Sequence, residues 1–326
     1  MELVEDTKRR IGFYCILFVV PKASGEPRPI LNLRPLNTSL VLTKFRFETL
    51  AQIIEAVQPG DFLASIDLKD AYLHVGIRRS HWIYLRFMFQ GVCSQLKVLF
   101  FGLKTAPKVW TKILAPVIAY LRRQDILIYA YIDDILIRAP TKEALKFAVE
   151  LVIKTLLSAG FVINLKKSEM EPTQDLVYIG GHFRTDLGVV LPPQDRILKL
   201  QGLLKPILPG IKVTAHYVLR ILGVMASMIQ VVMEARLHMR HLQLFLLSRW
   251  RPVRDSLWKM VTIPDSVIED VNWWLESSNL LEGVPVNPPQ PQHTVTTDAS
   301  ETGWGDSWMR TRVSKVFGCP TNDSST

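Results

Sequence analysis

Three aspartates sit in apolar surroundings. Asp67 closes the run DFLASIDL at residues 61–68, and Asp133 and Asp134 interrupt ILIYAYIDDILIR at residues 126–138. A carboxylate among apolar residues is costly unless it is paired or meets a cation. Two adjacent acids repel each other unless a cation lies between them. Ligands that are all oxygen select hard ions such as Mg2+ or Mn2+. Two such ions about 4 Å apart activate an attacking oxygen and stabilise a leaving pyrophosphate. That is phosphoryl or nucleotidyl transfer chemistry. Taken alone, Asp133-Asp134 also fits an ordinary Asp-rich turn.

The elements that must hold these acids follow from patterning. Pro59-Gly60 opens the run that ends in Asp67, which reads as a buried strand. Two β-rich apolar runs flank Asp133-Asp134 and predict a hairpin with both acids at its tip. Residues 11–35 read as two short strands joined at Lys22-Ala-Ser-Gly-Glu, and 104–123 as a helix. Residues 142–159 predict an amphipathic helix on the spacing of Leu145, Ala148, Val152 and Leu156, ended by Gly160. Short strands are expected over 161–191 and helix over about 195–250. GVPVNPPQPQHTV at 282–294 reads as a linker, and the stretch from about Arg310 to Thr326 as disordered.

With 326 residues, 48% of them hydrophobic and 21% charged, the chain is long and apolar enough for several cores. A net charge of +9 favours a polyanionic partner, nucleic acid or an anionic surface, although a merely basic surface accounts for it too. Cys15, Cys93 and Cys319 lie far apart and form no CxxC pair, and the seven histidines show no ligand spacing. Neither a zinc site nor a disulfide framework is expected, and a reducing compartment fits best. No run reaches the length of a membrane span. Lys8-Arg9-Arg10 followed by Ile11–Val20 imitates a signal peptide, but Glu2, Glu5 and Asp6 spoil its start. A cytoplasmic or nuclear protein, neither secreted nor in a membrane, is the expectation.

A series of motifs in order then resembles the reverse transcriptases of retrotransposons, most of all the DIRS-like group. GFYCILFVVPKASGEPRPILNLRPLN resembles the opening fingers motif, SIDLKDAYLHVGI motif A, VLFFGLKTAPKVW motif B, and YIDDILI the YxDD box of motif C. GFVINLKKSE resembles motif D and YIGGHF the primer grip. VNWWLE, a proline-rich link and TTDASETGWG resemble the join to a ribonuclease H domain.

The resemblance implies an α+β right-hand polymerase with an antiparallel palm sheet. Fingers and palm would occupy 1–192, a helical thumb 193–250, a connection and linker 251–292, and a truncated ribonuclease H-like start with its tail 293–326. It implies an RNA-directed DNA polymerase that takes a template with primer, deoxynucleoside triphosphates and two Mg2+ or Mn2+ ions. Asp67, Asp133 and Asp134 resemble the catalytic acids, and the Leu68 carbonyl would help hold the second ion. Lys22 and Arg28 match cations that hold the triphosphate. Tyr72 matches an aromatic gate against a 2′-hydroxyl, and Phe101 and Gly102 match the floor of the nucleotide pocket. Lys167, or Lys166 beside it, matches a lysine facing the leaving pyrophosphate. Tyr131, Ile132, Gly180 and Gly181 match residues near the primer. Asp298 matches the first acid of a ribonuclease H.

Phe100 stands where the family has proline, Ser94 and Leu96 where it has aromatics, and Asn32 where an acid is common. The alternative to an active polymerase is a decayed fragment that binds nucleic acid without synthesis. An RNA-directed RNA polymerase is disfavoured by Tyr72, and ribonuclease H activity by the absence of that domain's other acids.

Overall fold

Phe62–Asp67, FLASID, is a mostly apolar run without polar alternation, a pattern suited to a strand buried on both faces. Such a strand sits at the centre of a sheet, and it does so in the computed structural model, which describes residues 1–5, 8–21, 27–41, 43–288, 295–300, 303–308 and 313–318. The chain divides into two units, Met1–Asn287 and Pro288–Thr326.

The first unit runs β1 (Glu2–Leu3), β2 (Tyr14–Pro21), β3 (Pro27–Asn32), α1 (Arg34–Thr38), α2 (Leu50–Ala56) and β4 (Phe62–Asp67). Next come β5 (Arg86–Phe89), β6 (Val92–Gln95), α3 (Ala106–Arg122), β7 (Leu127–Tyr131), β8 (Asp134–Ala139) and α4 (Lys142–Ser158). Then follow β9 (Glu169–Thr173), β10 (Asp175–Tyr178), β11 (Gly181–Arg184), β12 (Val189–Leu191), α5 (Gln194–Leu204), β13 (Lys212–Thr214) and α6 (Ala215–Ala226). The unit closes with α7 (Leu237–Arg249), β14 (Met260–Thr262), α8 (Ile268–Leu275), α9 (Ser277–Leu281) and β15 (Val284–Pro285). The architecture is α+β.

The sheet that carries the acids is antiparallel, in the order β7-β8-β4-β9. Helices α3 and α4 cover it: Trp110, Leu114 and Ile118 from one and Leu145, Val152 and Leu156 from the other join Ile66, Ile128, Ile135 and Ile137 in one core. Helix α4 forms where its spacing predicts. Thr141 caps its start by accepting from the Ala144 amide, and Gly160, at φ +83°, follows its end. Helix α3 tolerates Pro107 in its first turn, where an amide needs no helical partner, and carries Pro116 inside.

A second, larger core joins Phe183 and Val190 of the β10-β11-β12-β15 sheet to α5, α6, α7 and α8 through residues such as Leu200, Val218, Leu242 and Trp274. A third and smaller one lies under the sheet β1-β6-β5-β2-β3, where β2 and β5 pair in parallel.

Three local expectations change. The helical reading of 195–250 breaks at Lys212–Thr214, a strand paired with Met260–Thr262; a partner so distant leaves no local period. The start of the expected linker is instead an edge strand, with Val284 opposite Val190 and Pro285 opposite Val189. Gly283 makes that turn at φ +74°, and a Cβ there would lie 2.7 Å from Leu191 Cδ2. Residues 289–294 of the linker lie outside the described residues. In the second unit, β16 (Val295–Ser300), β17 (Gly303–Trp308) and β18 (Val313–Gly318) form an antiparallel sheet in that order, so a strand stands within the stretch expected to be disordered. Asp298 lies on β16 opposite Gly305. No described helix is long and apolar enough to cross a membrane.

Candidate active site

The hairpin places its two acids differently from the expected tip. The turn is Ile132-Asp133, and Asp134 is already the first residue of β8, paired with Tyr131 on one side and Asp67 on the other. Ile132 takes φ +56°, the only non-glycine positive φ in this turn, where a β-branched residue is strained. Trp110, fully buried, secures it by donating Nε1–H to the Ile132 carbonyl at 2.6 Å. The Leu68 amide donates to the Asp133 carbonyl at 2.8 Å, so the end of β4 and the turn are bound backbone to backbone.

Asp67 is held by side chains that the sequence did not single out. Asn164 donates Nδ2–H to Asp67 Oδ1 at 2.8 Å, and the Asp67 amide donates to Ser168 Oγ at 3.0 Å. Both partners lie in the segment GFVINLKKSE, where lysines drew attention and a single Asn among apolar residues did not. Leu68 forms an antiparallel bridge with Ile163. Glu48, also unmarked in sequence, accepts from the Ala130 amide at 2.6 Å and pairs with Arg122, fastening β7.

Electrostatics set the acids apart. Burial, then the neighbouring Asp133 and Asp67 charges, push Asp134 up to about 6, with Lys167 opposing. Burial and Asp67 also raise Asp133, again against Lys167. Tyr178, whose hydroxyl donates to the Asp134 carbonyl at 3.0 Å, is raised well above the usual range by burial and then by Asp134.

Tyr72 and Phe101 come together, their ring centroids 4.9 Å apart, with Tyr72 buried and Phe101 exposed. Burial first, then Asp133, raises the Tyr72 hydroxyl. Gly102, at φ +91°, is clasped by Asn37, which donates to the Gly102 carbonyl at 2.9 Å and accepts from the Lys104 amide at 2.8 Å.

Gly180 lies in the β10–β11 turn, and Gly181 is the first residue of β11, paired with Tyr178. A cavity of about 600 Å³ joins that turn, at Ile179, to Tyr131, Asp134, Ser227 and Arg236. Arg196 crosses beside it, donating to the Ser227 carbonyl at 2.8 Å, and a Cβ on Gly180 would lie 2.6 Å from its guanidinium. Arg28 lies on β3 opposite Val20. Its side chain, and Lys22 altogether, lie outside the described residues.

The reverse transcriptase (RNA-dependent DNA polymerase) family description matches residues 20–183, about half of the chain, which includes β4, the hairpin and the β10–β11 turn. The chain belongs to the reverse transcriptase family. Among curated relatives of this reverse transcriptase domain, the Gag-Pol polyprotein of Rous sarcoma virus subgroup C is 30% identical over 210 residues, covering 60% of the chain and 13% of that polyprotein. The Transposon Tf2-3 polyprotein of Schizosaccharomyces pombe is 25% identical over 168 residues, covering 52% and 12%. The chain thus spans about an eighth of the polyproteins it matches. The fold is similar to that of the foamy viral protease-reverse transcriptase in complex with RNA/DNA hybrid, with a TM-score of 0.69 at 17% identity over 93% of this chain and 39% of that one.

For a metal ion the donor chemistry and the placement disagree. Asp67, Asp133, Asp134 and the Leu68 carbonyl offer only oxygen, the donor set of Mg2+ or Mn2+. Yet among the described residues no group of three His, Cys, Asp or Glu side chains is arranged to hold a metal ion.

Proposed function

We propose that this chain is the nucleic-acid-binding polymerase domain of a retroelement reverse transcriptase, and that it holds a template–primer duplex over the β7–β8 hairpin. The observation that carries this reading is the joining of Tyr131 and Asp134 to the β10–β11 turn around one open cavity. A net charge of +9 supplies the attraction for phosphate. Residues 1–192 act as fingers and palm, 193–250 as a thumb, 251–292 as a connection and linker, and 293–326 as a truncated ribonuclease H-like start bearing Asp298. We infer from the resemblance of its motifs that the parent element is of the DIRS-like group.

As the side chains stand, binding without synthesis is the better supported outcome, because no three-acid group is arranged to hold a metal ion among the described residues. A second reading, RNA-directed DNA synthesis, is favoured by the register that sets Asp134 directly opposite Asp67. In that reading Asp67, Asp133, Asp134 and the Leu68 carbonyl would hold two Mg2+ or Mn2+ ions, which would supply Lewis-acid chemistry for nucleotidyl transfer. Tyr72, its ring 4.9 Å from that of Phe101, would exclude a 2′-hydroxyl, with Gly102 beside Phe101 in the chain, while Lys22, Arg28 and Lys167 would meet the triphosphate. The test is to offer the purified chain a labelled RNA template with DNA primer, then to add deoxynucleotides with Mg2+ or Mn2+. Binding establishes the first reading, and extension adds the second.

A further inference from the structure

His74 ends the short 3-10 turn Ala71–His74 that follows the Asp67 strand. Its ring lies 6.1 Å from that of Trp110 and 5.8 Å from that of Phe161. Nε2 stands 3.1 Å from the Val162 amide nitrogen, and Nδ1 3.1 Å from the Ala71 carbonyl oxygen. A backbone N–H only donates and a carbonyl only accepts. Together the two contacts make Nδ1 the donor and Nε2 the acceptor.

Val162 begins the stretch that runs beside the end of β4. The Lys69 amide donates to the Val162 carbonyl, and the Asn164 amide to the Asp67 carbonyl, each at 2.8 Å. Asn164 then reaches the Asp67 carboxylate itself. The path from imidazole to carboxylate is short: His74 holds Val162, Val162 is two residues from Asn164, and Asn164 orients Asp67.

We propose that His74 is a positioning residue, which by accepting from the Val162 amide holds Asn164 against the Asp67 carboxylate. The clamp stands on the geometry alone; its effect on turnover rests on the nucleotidyl-transfer reading above.

The experiment is amide hydrogen exchange on the full chain, resolved at Val162 and Asn164. It compares the wild type with His74→Phe, which keeps a ring between Trp110 and Phe161, and His74→Gln, which returns an acceptor. In His74→Phe both amides should exchange about three- to tenfold faster, the scale of one lost hydrogen bond. His74→Gln should restore most of the protection. Asn164→Ala should leave Val162 protected, since it removes a later link. A folded His74→Phe with unchanged exchange at both amides overturns the clamp, as does a His74→Gln no better protected than His74→Phe.

Primer extension is the second arm. There His74→Phe and Asn164→Ala should each lower kcat about 10- to 100-fold, the scale of a displaced reacting group, with His74→Gln recovering most of it. The nucleotide KM should stay within about threefold. A wild type that extends no primer sinks the nucleotidyl-transfer reading, and exchange at Val162 and Asn164 then decides the clamp. A wild type that extends, beside a His74→Phe with unchanged kcat, overturns the positioning role.

Discussion

Asp67 and Asp134 are direct partners across the β4–β8 ladder, while Asp133 sits one residue earlier in the turn, its carbonyl accepting from the Leu68 amide at 2.8 Å. Three acids are thus tied to one another through the backbone. Side-chain rotation can change their mutual distances, but their strand register stays fixed.

Primer extension separates the two readings of that register. The binding reading expects a folded wild type that holds primer–template and adds no nucleotide with either ion. Extension by the wild type, and none by Asp133→Asn, would instead establish the active polymerase and its acids. The Asn variant keeps the turn's shape and removes only the charge.

Trp110→Phe should loosen the hairpin turn. The ring stays in the core between Tyr72 and Phe161, but the Ile132 carbonyl loses its donor in a turn already strained at φ +56°. A loss of about 1–3 kcal/mol is expected in urea unfolding, the range for leaving one such group unsatisfied.

Asp61→Ala should be costlier. Arg138 Nη1 meets Asp61 Oδ2 at 2.7 Å where both side chains are mostly buried, and the same oxygen accepts from the Gln58 amide. Removing the acid leaves a buried guanidinium whose Nε already lacks a partner. The expected loss is about 3–5 kcal/mol in the same assay. A loss under about 1 kcal/mol would show that water reaches Arg138.

A thiol supplies a pH-dependent prediction. Burial pushes Cys15 up to about 11, against an ordinary value of 9.0. The folded thiol therefore keeps its proton as pH rises through 9, whereas an unfolded one loses it. At pH 8.5, iodoacetamide should label Cys15 in the native chain roughly 100-fold more slowly than in urea, in proportion to the thiolate present. Peptide mapping resolves it from Cys93 and Cys319.

What the sequence made legible was local and periodic. The α4 stripe, the strand ending in Asp67 and the paired runs around Asp133-Asp134 each bear their pattern within a dozen residues, and the structure forms them there. What it hid was set by distant partners. Nothing near Lys212 shows that it pairs with Thr262, and nothing near Asn164 shows that it will face Asp67. The exact turn was hidden too: apolar patterning marks a hairpin, but only the register of β4 against β8 moves Asp134 out of the tip and onto a strand.

The most direct test of the central claim is fluorescence anisotropy of a labelled RNA template–DNA primer duplex titrated with the full chain at rising salt. The account predicts saturable binding whose log affinity falls linearly with log salt, by about 0.9 for each phosphate neutralised. A folded chain that shows no saturable binding, or binding indifferent to salt, would contradict it.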